Sequence, residues 1–94
     1  MEYFEPRPKD INKALPPELR ETANKILEFL AESPEIDYSV GELTRTLELK
    51  GEEAARAVKE LISLEALIEV EAFKGLPSHV KLNPQSQYVK NIMR

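Results

Sequence analysis

A change of hydrophobic period near residue 66 constrains this chain more than any other feature. Upstream, apolar residues recur every three to four positions; downstream they alternate with polar ones. Leu19, Ala23, Ile26, Leu27 and Leu30 fall on one face of a helix, with Glu21, Lys25, Glu28 and Glu32 opposite. The spacing predicts a helix from about Pro17 to Ser33, with a proline suited to its first turn and Pro34 barring its continuation. Ser39-Val40-Gly41-Glu42 has the form of a capping box, in which a serine and a glutamate satisfy each other's free backbone N–H groups. It opens a short helix carrying Val40, Leu43 and Leu47 that ends near Glu48. Leu49-Lys50-Gly51 makes a turn, and a third helix follows from about Glu52 to Leu64. Its expected buried stripe is Ala54, Val58, Leu61 and Ile62, while the small side chains of Ala54, Ala55 and Ala57 admit a neighbouring helix closely.

Beyond the change of period, Leu67–Phe73 alternates apolar and acidic residues, as a half-buried strand does. Lys74-Gly75-Leu76-Pro77-Ser78 supplies turn residues, and His79–Leu82 alternates again and is expected to pair back antiparallel. Asn83-Pro84 then reads as the cap of a final helix from Gln85 to about Ile92. Residues 1–17, with Pro6, Pro8, Pro16 and Pro17, read as an extended arm with a short turn within 10–15. The expected class is α+β, mainly helical, with an arm (1–17), one folded domain (18–83) and a C-terminal helix or tail (84–94).

Ninety-four residues leave room for one core. With 41% apolar and 32% charged residues the chain has the composition of a folded domain, and its many Glu and Lys fit a thermophile. There is no cysteine, hence no disulfide, thiolate metal site or cysteine nucleophile. No apolar run is long enough to span a bilayer, and Met1-Glu2-Tyr3-Phe4-Glu5 lacks the basic and apolar parts of a secretory leader, so a cytoplasmic protein without membrane contact is expected. The net charge of −4 excludes a purely electrostatic coat for nucleic acid. That charge is uneven: between residues 21 and 48 acids far outnumber Lys25 and Arg45, whereas residues 49–94 carry a slight basic excess.

Helix, short helix, turn, helix and β-hairpin follow the order of the winged helix-turn-helix superfamily, and the local sequence resembles that family too. Leu47-Glu48-Leu49 is similar to its Leu-x-Leu end of the short helix. Arg56-Ala57-Val58-Lys59-Glu60-Leu61 is similar to its Arg-x-apolar-Lys-x-Leu recognition helix, and Leu64-Glu65-Ala66-Leu67-Ile68 to the Gly-Leu-Ile lead into the wing. The resemblance covers residues 18–83. It implies a three-helix winged helix-turn-helix with a C-terminal hairpin wing, helix 52–64 in the major groove of double-stranded DNA, and hairpin 68–82 against adjacent backbone. Two departures stand out. Ala66 replaces the family's frequent glycine, which the fold tolerates if the turn avoids positive φ there. Gly51-Glu52-Glu53 opens the recognition helix where DNA-reading relatives place Ser, Thr, Gln or Arg. Those acids suit the helix dipole but repel phosphate.

On that resemblance the DNA-contacting candidates are Lys50, Arg56 and Lys59 around the recognition helix, Arg45 on the preceding one, and Lys74, His79 and Lys81 on the wing. The alternative for each is a solvated surface charge, with Arg56 paired one turn back to Glu52. His79 is the sole histidine and has no cysteine or acidic cluster at ligand spacing, so no metal site is expected. No Gly-x-Ser-x-Gly or glycine-rich phosphate loop occurs; neither an enzyme nor a cofactor is expected. Tyr3 and Phe4 on the arm and Tyr88, Ile92 and Met93 on the final helix are candidates for contact with a second copy or a partner protein. Two functions stay open: a DNA-binding transcriptional regulator, which as a homodimer would read a pseudo-palindrome, or a protein-interaction module of a larger complex.

Overall fold

The computed structural model describes residues 10–70, 79–86 and 88–89. In chain order they form α1 (Asp10–Ala14), α2 (Pro17–Ala31), β1 (Tyr38–Ser39), α3 (Val40–Leu47), α4 (Gly51–Ser63), β2 (Leu67–Val70) and β3 (His79–Leu82). The class is α+β and mainly helical, with a three-stranded antiparallel sheet in the order β1-β3-β2. Expected strand residues 71–73 and turn residues 74–78 lie outside the described residues.

α2 starts on Pro17 and buries Leu19, Ala23, Ile26, Leu27 and Leu30, the stripe its spacing predicts. It ends two residues earlier than expected. The N–H groups of Glu32 and Ser33 donate to the carbonyls of Phe29 and Leu30, three residues back, at 3.2 and 3.1 Å. The last turn thereby tightens and leaves the α ladder before Pro34. The capping box of α3 forms in full: Ser39 Oγ accepts from the Glu42 N–H at 3.1 Å, and Glu42 Oε1 accepts from the Ser39 N–H at 2.9 Å. α3 closes on Glu48, whose left-handed backbone (φ 55°) lets the Leu49 N–H reach back to the Thr44 carbonyl at 2.9 Å.

α4 begins at Gly51 and buries Ala54, Ala57, Val58 and Leu61 against α2 and α3. Of the three alanines expected to admit a neighbouring helix, Ala54 and Ala57 do so, both fully buried; Ala55 faces solvent. After α4 the chain turns through Glu65 (φ 63°) into buried Ala66. The left-handed residue is thus Glu65, and Ala66 avoids the conformation that would have demanded glycine.

β2 and β3 pair in the register Leu67↔Leu82, Ile68↔Lys81, Glu69↔Val80 and Val70↔His79. Leu67, Val80 and Leu82 are buried against the helices, while Ile68, His79 and Lys81 occupy the other face. β1 is an addition to the expected plan: Tyr38 pairs with Val80 and Ser39 with His79, making β3 the central strand. Two residues carry no readable period, so only the pairing reveals this strand.

The core extends beyond residues 18–83. Ile11 of α1 and Leu15 just after it, each 2% exposed, join it from within the segment read as an arm. Past β3, the Asn83 N–H donates to the Ala66 carbonyl (3.0 Å), its amide donates to the Glu65 carbonyl (2.8 Å), and its Oδ1 accepts from the Gln85 N–H (3.0 Å). This knot turns the chain so that Val89, helical and fully buried, reaches the core. Among the described residues no helix is long and apolar enough to cross a membrane.

Candidate nucleic-acid interface

Because Ala54, Ala57, Val58 and Leu61 hold one face of α4 inward, the 3.6-residue period turns Glu52, Ala55, Arg56, Lys59 and Ser63 outward together. All five are exposed. Lys50 precedes the helix in extended conformation and is exposed as well. The stripe presents two cations, one acid at its leading end and a small gap at Ala55. Glu53 sits a quarter-turn aside and is half-buried. Both acids lie in the first turn, where free backbone N–H groups and the helix dipole favour negative charge.

Arg56 is engaged, though not with the expected partner. Its Nη2 donates to Glu18 Oε2 at 3.2 Å, across from the first turn of α2, rather than to Glu52 one turn back on its own helix. Packing of α2 on α4 creates this pair, whose members lie 38 residues apart. Glu18's own backbone N–H at the start of α2 holds its carboxyl below the ordinary glutamate range, and Arg56 adds to the effect. Both side chains are more than half exposed (55% and 59%), so the pair stands in water and is open to exchange.

On β3, His79 and Lys81 project from the outer face and are half-buried. His79 Nδ1 lies 3.2 Å from Asp37 Oδ1, tying the central strand to the segment that leads into β1. Asp37 as the partner of His79, like Glu18 as that of Arg56, escapes sequence reasoning because neither contact exists until the elements pack. Arg45 is exposed in the last turn of α3. Among the described residues the ion pairs are Glu21–Lys25 and Glu18–Arg56, with the Asp37–His79 contact a third only where the imidazole is protonated, so Lys50, Lys59 and Lys81 belong to none of them. No group of three or more His, Cys, Asp or Glu side chains converges among those residues.

The remaining expected contacts divide. Lys74 of the expected wing, Tyr3 and Phe4 of the expected arm, and Ile92 and Met93 of the expected final helix lie outside the described residues. Tyr88 is half-buried and packs against the protein's own core cluster. Among the described residues the exposed large apolar side chains are Ile36 (48%), ahead of β1, and Ile68 (37%), on the outer face of edge strand β2. Compared with protein-family models, curated proteins and solved structures, the chain matches none of them.

Proposed function

We propose that this protein is a winged helix-turn-helix DNA-binding domain that acts as a small transcriptional regulator, with α4 in the major groove and the β2–β3 hairpin as its wing. The observation that carries the reading is the outward stripe of α4, where Arg56 and Lys59 stand side by side on a helix braced from behind by α2 and α3. A rigid helix with an exposed polar stripe has the width and chemistry of a major-groove probe. Lys50 before the helix and Lys81 on β3 add cations that belong to no ion pair among the described residues. The three-stranded sheet, with β1 closing on β3, accords with the winged plan.

Fluorescence anisotropy of a labelled random-sequence duplex tests this at about 50 and 200 mM salt, where each phosphate contact contributes a slope near −0.9 in log K against log salt. The wild-type protein should bind in the micromolar range and weaken as salt rises. Arg56→Glu with Lys59→Glu should abolish binding while the circular-dichroism spectrum is unchanged, since both side chains are exposed. Undiminished binding by the folded double variant would remove α4 from the interface.

One set of observations favours a second reading, a protein-interaction module. Ile68 and half-buried Val70 share the outer face of an edge strand, and an acid heads the α4 stripe. A partner with a basic, partly apolar surface would suit both features.

A further inference from the structure

Resting on that DNA-binding reading, we propose that Glu18 is a built-in competitor for the backbone phosphate that Arg56 would contact, and so limits the affinity of the α4 face. Arg56 Nη2 and Glu18 Oε2 are 3.2 Å apart. A carboxylate and a phosphate offer a guanidinium the same kind of partner, two or more anionic oxygens facing its planar N–H fork. Glu18 therefore occupies the place of a phosphate at the edge of the outward stripe.

Three features make this more than a chance surface contact. First, Glu18 is held by its backbone: Pro17 fixes the first turn of α2, and Leu19, the next residue, is anchored at 1% exposure. Second, Arg56 has carboxylates one turn away on its own helix in both directions, Glu52 and Glu60, and its guanidinium goes instead to α2. Third, both members are solvent-facing, so an incoming phosphate can displace the carboxylate without opening the core. Binding DNA through Arg56 then requires breaking the pair and leaving Glu18 beside a polyanion. Lys59 is free of this competition, since no ion pair of the described residues includes it.

The test is anisotropy with the same random duplex at about 50 and 200 mM salt, using the full chain as wild type, Glu18→Gln, Glu28→Gln, Arg56→Gln and Glu18→Gln with Arg56→Gln. Glu28 is an exposed acid near the other end of α2, so its replacement removes the same charge away from Arg56. Glu18→Gln should tighten binding about two- to fivefold at the lower salt, the range open to an exposed pair, and steepen the salt slope by up to about 0.9. Glu28→Gln should have a smaller effect, and on the Arg56→Gln background Glu18→Gln should gain no more than Glu28→Gln does in the otherwise wild-type chain. A gain from Glu18→Gln no larger than that from Glu28→Gln, or one that persists without Arg56, would overturn the competition while leaving the DNA reading intact. Absence of binding by both wild type and Glu18→Gln would remove both.

Discussion

Two of the described residues hold backbone conformations that their side chains disfavour. Glu48 (φ 55°) ends α3 and Glu65 (φ 63°) follows α4; a residue with a Cβ bears about 1–2 kcal/mol of steric cost in this region. Each conformation has a purpose in hydrogen bonding. At Glu48 it brings the Leu49 N–H to the Thr44 carbonyl, and at Glu65 it aims a carbonyl at the Asn83 amide. Neither bond uses a glutamate side chain, so both survive its removal. Glu48→Gly and Glu65→Gly, made singly, should therefore raise stability by about 0.5–1 kcal/mol, once glycine's greater freedom in the unfolded chain is subtracted. Urea unfolding midpoints measure this, and a fall in midpoint would mean that the side chains contribute contacts which outweigh the strain.

At the level of elements, what the sequence announces is whatever repeats. α2 and α4 each bury a stripe at helical spacing, α3 carries a capping box and β3 alternates in burial, all legible from residue order alone. β2 is legible as a strand, but Ile68 and Val70, the apolar members of its alternation, stand on the outer face and Leu67 is the residue it buries. The outward placement of Arg56 and Lys59 follows from the same stripe. β1 is too short to have a period and owes its existence to pairing with β3. The Glu18–Arg56 and Asp37–His79 contacts depend on how elements pack across about forty residues of chain, which spacing does not encode. α1 was obscured by its proline-rich surroundings, although Ile11 and Leu15 stand one helical turn apart, with the Leu15 N–H donating to the Ile11 carbonyl at 3.1 Å. Since Leu15 is 2% exposed, Leu15→Ala should cost about 2–5 kcal/mol in urea unfolding, while Ala14→Ser, at an exposed neighbour, should cost little. A loss for Leu15→Ala no greater than for Ala14→Ser would detach α1 from the core.

For the whole molecule the decisive quantity is where charge stands rather than its sum. A net charge of −4 gives DNA no general attraction, so any binding must arise from a local face that outweighs repulsion elsewhere. The proposed face is small, and Glu18 and Glu52 at its margins reduce its potential further. Weak, steeply salt-dependent binding by a single copy follows from that arrangement. The acid-rich stretch 21–48 spans most of α2, β1 and all of α3. Amide chemical-shift mapping with a short duplex at low salt tests the location of the interface most directly. The proposed function predicts shifts concentrated on Ala55, Arg56, Lys59 and Ser63 of α4, with Lys50 and Lys81 beside them. Shifts absent from α4, or confined to the Ile68–Val70 face of the sheet, would contradict it.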